Sequence, residues 1–123
     1  MVRLVRDAPL AHLAWEPAPS SAARGTVVLL HGVGGGRESW GDALSGTGDA
    51  LARAGFRVVA ADLPGYGDSP RIDPYDLPGM ARAVRTLVDH LGPGPVALVG
   101  HSMGGMVAQE LMAQAPERVA ALV

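Results

Sequence analysis

The sequence predicts an α/β fold, a doubly wound and mostly parallel sheet with helices on both faces. Two observations carry this. Short apolar, β-branched runs alternate along the chain with longer stretches of helical period, the pattern of a parallel sheet covered by helices. Glycine-bearing loops then follow three of those runs in succession, at strand ends where open α/β sheets place their functional groups. With 123 residues, 48% of them hydrophobic, the chain has enough apolar surface for a single domain with a sizeable core.

Taken in order, Val2 to Arg6 and Ala11 to Trp15 fit an antiparallel hairpin, and Pro17 to Ser21 a loop. Thr26 to Leu30 is the first buried strand. It stops at His31, Gly32, Val33, Gly34, Gly35 and Gly36, a stretch too rich in glycine to continue a regular element. A helix is expected from near Trp40 or Asp42 to Ala54, closed by Gly55, and Phe56 to Ala61 is the second buried strand. Asp62 to Pro70 forms another punctuated loop. A helix of about fifteen residues follows, starting near Asp76 or Pro78 and ending before Gly92. Pro95 to Val99 is the third buried strand, Gly100 to Gly105 turns the chain into a helix reaching about Gln114, and Arg118 to Val123 begins a further apolar run. Residues 1–123 therefore read as the N-terminal part of one core domain. An end inside a strand leaves backbone groups unpaired, so the sheet is expected to be truncated after about its sixth strand.

Composition narrows the function. A net charge of −2 with no basic run gives no footprint for nucleic acid or an anionic membrane, and no apolar run reaches membrane-spanning length. The segment up to Trp15 mixes Asp7 and His12 into its apolar residues, unlike a signal peptide. Cysteine is absent, which excludes disulfides, thiolate metal sites and a cysteine nucleophile, and makes the cytoplasm the simplest location. His12, His31, His90 and His101 show no metal-ligand spacing. The expected partner is a small-molecule substrate, with no cofactor and no metal.

Gly100, His101, Ser102, Met103 and Gly104 match G-x-S-x-G, in which a serine sits on a sharp strand-to-helix turn and the flanking glycines let backbone approach backbone. Chance would supply that pattern about 0.1 times in a chain of this composition, so context must decide. Here it follows the apolar run Val96 to Val99 and opens a helix with Met106, Val107, Leu111 and Met112 at helical spacing. The competing structural reading is a serine N-cap. Gly67, Asp68, Ser69, Pro70 and Arg71 nearly repeat the motif but lack the second glycine and the preceding strand, so Ser69 reads as a loop or capping residue. His101 lies next to Ser102 on a tight turn and cannot normally aim its ring at that hydroxyl; it reads as an elbow-packing residue. His12 and His90 read as solvent-exposed.

Three motifs, namely His31 and Gly32 after one strand, Asp62 to Ser69 after the next and Gly100 to Gly105 after the third, resemble the α/β-hydrolase superfamily in order and spacing, over Thr26 to the C-terminus. The resemblance implies an α/β-hydrolase fold with Ser102 as nucleophile. It implies backbone N–H donors to an oxyanion at Met103 and Val33, with His31 holding the loop that carries Val33. Asp62 and Asp68 would be structural. The activity implied is acyl transfer on an ester, lactone, thioester or related carbonyl substrate. The superfamily's order is serine, acid, histidine. After Ser102 this sequence offers only Glu110 and Glu117, both read as facing solvent, and no histidine, so little turnover is expected of these residues alone. Two other readings compete: a non-catalytic binding protein on the same fold, and a dinucleotide-binding oxidoreductase. For the second, Gly32 and Gly34 follow a strand and Asp62 ends the next, but Arg37 stands where G-x-G-x-x-G needs its third glycine.

Overall fold

A computed structural model describes residues 2–17, 23–41 and 45–123. Its strands are β1 (Val2–Val5), β2 (His12–Trp15), β3 (Thr26–Leu30), β4 (Arg57–Ala61), β5 (Val96–Gly100) and β6 (Val119–Leu122). Its helices are α1 (Thr47–Arg53), α2 (Leu77–Leu91) and α3 (Met103–Gln114), with short 3-10 turns at Arg37–Trp40 and Pro116–Arg118. The six strands form one mixed sheet in the order β1-β2-β4-β3-β5-β6. β4, β3, β5 and β6 run parallel, while β1 and β2 form an antiparallel pair at the β4 edge.

Period-two alternation along the central strands divides the core into two layers. Val28 and Leu30 of β3, Val59 and Ala61 of β4, and Val96 and Leu98 of β5 face α2 and α3. Val27, Leu29, Val58 and Ala60 face the opposite side, with Trp15 and with Leu51 and Ala52 of α1. Helices thus cover both faces, and the near-continuous apolar strands follow from burial on two sides.

The helix boundaries have local causes. Asp76 caps α2 by accepting from the Gly79 N–H at 2.8 Å, and the buried face Met80, Ala81, Val84, Leu87, Val88 repeats at helical spacing until Gly92, whose φ is 139°. Expectation and structure part company before α1. Trp40 lies in the 3-10 turn and α1 starts only at Thr47, with residues 42–44 outside the described chain. Gly41 and Gly46 have φ of 105° and 98°, and a Cβ on Gly46 would lie 2.6 Å from Gly41 Cα, so no continuous helix passes through them. β4 begins at Arg57 rather than Phe56. β5 runs one residue later than expected because Pro95 has no N–H for the ladder and Gly100 pairs with Leu30. In α3, Val107 and Leu111 are buried but Met106 and Met112 are exposed, so half of the apolar residues that signalled this helix face outwards. The expected loop at Pro17 to Ser21 falls mostly outside the described residues.

His90 is exposed, but His12 is not: it is 4% exposed, and its Nδ1 lies 2.9 Å from the Leu10 carbonyl oxygen. It opens β2, which is covered by β1 on one side and β4 on the other. Burial lowers its pKa below the ordinary 6.5; the hydrogen bond to Leu10 opposes this, and Arg3, His90 and Arg57 add to the lowering. Below about pH 6.5 the unfolded chain takes up a proton at this position before the folded chain does, so stability falls as pH falls. Between about pH 7.5 and pH 5 the wild-type Tm is expected to drop further than that of a His12→Gln variant. Parallel Tm curves for the two proteins would show that His12 carries none of the acid sensitivity.

Candidate active site

At the end of β5 the chain turns from strand to helix in two residues. Ser102, between them, has φ 55° and ψ −115°, and it alone among the described non-glycine residues has positive φ. Such a conformation costs about 1–3 kcal/mol and persists only where the surroundings over-determine it. The surroundings here are backbone on both sides. The His101 N–H donates to the Leu30 carbonyl at 3.0 Å, and the Gly105 and Met106 N–H groups donate to the Ser102 carbonyl at 2.9 and 3.1 Å. A Cβ on Gly104 would lie 2.1 Å from Leu30 O, and one on Gly100 would lie 2.5 Å from Gly104 O. Glycine at both positions lets α3 start against the ends of β3 and β5.

The Ser102 side chain is exposed and hydrogen-bonds no described residue. An N-cap serine would accept from the second or third N–H of the helix. That bond is absent, so the hydroxyl is left available at the positive end of α3.

The loop after β3 lies against this turn. A Cβ on Gly32 would sit 3.3 Å from Ser102 Cβ and 3.0 Å from His101 Nδ1. His101 itself is exposed rather than packed into the elbow. His31 is fully buried. The Leu63 N–H donates to its Nε2 at 3.0 Å, which leaves the proton on Nδ1 to donate to the Gly32 carbonyl at 2.8 Å, and Tyr66 packs edge-on at 4.8 Å. Both ring nitrogens are thus occupied. Val33 is 76% exposed, and the N–H groups of Val33 and Met103 donate to no described residue.

Topology brings these pieces together. From β3 the chain crosses to β4 on one side and then returns to β5 on the other, so the loops after β3 and β5 diverge around a crevice, the switch point at which open α/β sheets bind ligands. A cavity of about 330 Å³ opens beside it, lined by His31, Ser39, Trp40, Val99, Gly100 and His101.

The remaining candidates stay apart. Glu110 lies two helical turns along α3, roughly 12 Å from Ser102 along the axis. Glu117 is exposed and pairs with Arg85 at 3.6 Å. No described acid or histidine hydrogen-bonds Ser102, and no group of three or more His, Cys, Asp or Glu that could hold a metal occurs among the described residues. No helix of the described residues is long and apolar enough to cross a membrane.

The loop after β4 contains bonds that motif reading missed. Asp62 is 1% exposed: its Oδ1 accepts from the Arg37 N–H at 2.8 Å, and its Oδ2 accepts from the Arg37 guanidinium at 2.5 Å and the Asp68 N–H at 3.2 Å. Buried and with both oxygens bonded inside the protein, the carboxylate is not presented to a ribose hydroxyl, which removes the basis of the dinucleotide reading. Ser69 is buried, donating to the Asp62 carbonyl at 2.6 Å and accepting from the Ala11 N–H at 3.0 Å. The only available signal in the sequence was an acid at a strand end with an arginine 25 residues before it.

A family model described as alpha/beta hydrolase fold matches residues 25–123. The chain is 45% identical over 95 residues to the dihydrolipoyllysine-residue acetyltransferase component of the acetoin cleaving system of Cupriavidus necator, a match covering 76% of this chain and 24% of that protein. It is 41% identical over 108 residues to a 2-hydroxy-6-oxononadienedioate/2-hydroxy-6-oxononatrienedioate hydrolase of Paraburkholderia phymatum, covering 85% of this chain and 36% of that protein. In structure it is similar to an epoxide hydrolase from Vigna radiata, with TM-score 0.76 and 29% identity over 99% of this chain and 37% of that one. The chain thus spans between a quarter and just over a third of the length of these curated relatives.

Proposed function

The chain belongs to the alpha/beta hydrolase fold family, and from that premise we propose that it carries the nucleophile and oxyanion half of a serine acyl-transfer site. The observation that supports this most directly is the positive φ of Ser102, at the crevice, whose hydroxyl and the nearby N–H groups of Val33 and Met103 bond to no described residue.

In this reading Ser102 Oγ attacks the carbonyl carbon of an ester, lactone, thioester or related substrate. The Val33 and Met103 N–H groups donate to the oxygen as it becomes negative, each worth about 2.7–4 kcal/mol at the transition state. The hydroxyl proton passes to a base, the leaving group departs with a proton, and water or another acceptor then takes the acyl group from the serine. The relative from Cupriavidus necator is named an acetyltransferase component and that from Paraburkholderia phymatum a hydrolase. Residues 103–123 hold no histidine, so the base is not supplied after Ser102 within these 123 residues, which alone should turn over little substrate.

The test is labelling with a fluorophosphonate probe of the protein expressed from its full reading frame. Stoichiometric phosphonylation mapped by mass spectrometry to the peptide containing Ser102 is expected. Absence of label would return the protein to the non-catalytic reading, since fold and motif do not by themselves establish turnover, and label on another serine would overturn Ser102 as the nucleophile.

A further inference from the structure

The loop that carries Val33 has glycine at 32, 34, 35 and 36, so its own backbone restricts it weakly. Inside it the Gly35 N–H donates to the Gly32 carbonyl at 3.0 Å. Its ends are held from outside. His31 fixes the near end to the loop after β4 through the Leu63 N–H. Arg37 fixes the far end to the same loop, by its backbone N–H and its guanidinium on the buried Asp62. That guanidinium also donates to Asp68 Oδ2 at 2.8 Å, and Arg6 Nε reaches the same oxygen at 3.2 Å.

The arrangement is tight and electrostatically matched. Gly67 has φ 51°, and a Cβ there would lie 2.2 Å from Asp62 Oδ2, so the carboxylate is wedged against backbone. Burial works against the Arg37 charge, but the hydrogen bonds it donates to Asp68 and Asp62 outweigh it and raise the pKa; those that Asp68 accepts from Arg37 and then Arg6 lower its own. Val33 lies between two anchors that both belong to the loop after β4. The turn closed by the Gly35 N–H on the Gly32 carbonyl shapes the backbone at Val33, and the two anchors hold that turn in place.

We propose that Arg37 and Asp62 are positioning residues for the Val33 N–H, acting on the rate of acyl transfer at Ser102 without touching substrate. The role rests on the reading of Ser102 as nucleophile. An N–H displaced from the oxyanion weakens transition-state binding more than ground-state binding, so the loss should fall on kcat and spare KM.

The test uses the protein expressed from its full reading frame, with p-nitrophenyl butyrate as probe, in wild type, Arg37→Ala, Arg37→Lys and Ser102→Ala. Each protein is assayed well below its own Tm. Arg37→Ala is expected to lower kcat about 10- to 100-fold, short of the 10²–10³-fold that follows outright loss of an oxyanion donor. KM should stay within about twofold. Arg37→Lys keeps the charge but loses the planar fork, and should recover most of the rate, remaining about fivefold below wild type. Removing the partner of a buried carboxylate can prevent folding; if Arg37→Ala does not fold, Arg37→Lys decides on the same split between kcat and KM. A lowered Tm with kcat unchanged within twofold overturns the positioning role while leaving an inactive Ser102→Ala to support the nucleophile. Wild-type turnover in Ser102→Ala overturns both.

Discussion

Ser102→Ala is expected to lower kcat for an activated ester by at least about 10⁴-fold in the protein expressed from its full reading frame, with little change in Tm. Removal of the nucleophile in a serine hydrolase costs about 10⁶-fold in kcat, and the oxyanion donors and substrate binding that survive it still give about 10³–10⁴ over water. The variant should therefore keep a small residual rate. Ser102 makes no side-chain hydrogen bond to the described residues, so its hydroxyl is not holding the turn together. A fall in Tm is possible only through φ 55°, which alanine tolerates no better than serine. Circular dichroism melts beside the kinetics separate these effects. A variant that retains more than about a tenth of wild-type kcat would rule Ser102 out as nucleophile.

The two glycines that open α3 should respond to alanine with opposite signs. At Gly104 a Cβ would sit 2.1 Å from Leu30 O, 2.5 Å from Leu30 C and 2.7 Å from His31 O, all of them backbone atoms at the end of β3. No rotamer change relieves that overlap. α3 must move off the sheet, loosening the buried Val107 and Leu111 and stretching the bond from the His101 N–H to Leu30. Overpacking of this kind costs about 1–3 kcal/mol and more where the obstacle cannot yield, so Gly104→Ala should destabilise by about 3 kcal/mol or fail to fold. At Gly105 the nearest contact would be 3.5 Å, to Gly100 O, an ordinary van der Waals distance. Gly105→Ala, in the first turn of α3, should therefore stabilise, by less than the gain of about 0.5–1 kcal/mol usual in a helix interior. Urea midpoints measure both. Equal effects at the two positions would mean that α3 does not approach β3 as described.

Much of this architecture could be read from local chemistry. β3 and α2 were legible to the residue or nearly so: an apolar run stopped by His31 and Gly32, and an Asp76 cap with an apolar stripe closed by Gly92, are decided by neighbours in sequence. The turn at Ser102 was legible for the same reason, since strand, glycines and helix are contiguous. What could not be read depends on partners far along the chain. His12 was expected at the surface, but it is buried, on a strand flanked by β1 and by β4, the second of them about 45 residues away. The outward orientation of Met106 and Met112 depends on where α2 lies relative to α3, which helical spacing alone does not fix. Arg37 counted in the sequence only as a missing glycine, because its bonds to Asp62 and Asp68 cross 25 and 31 residues.

Val33 separates two kinds of heritable variation. Its backbone N–H is a group every amino acid except proline possesses, whereas its side chain is 76% exposed. Selection could exchange that side chain among many sizes and polarities without altering the donor. If the Val33 N–H is an oxyanion donor, a library randomised at codon 33 and selected for turnover should thus recover diverse residues, and proline should be depleted from it.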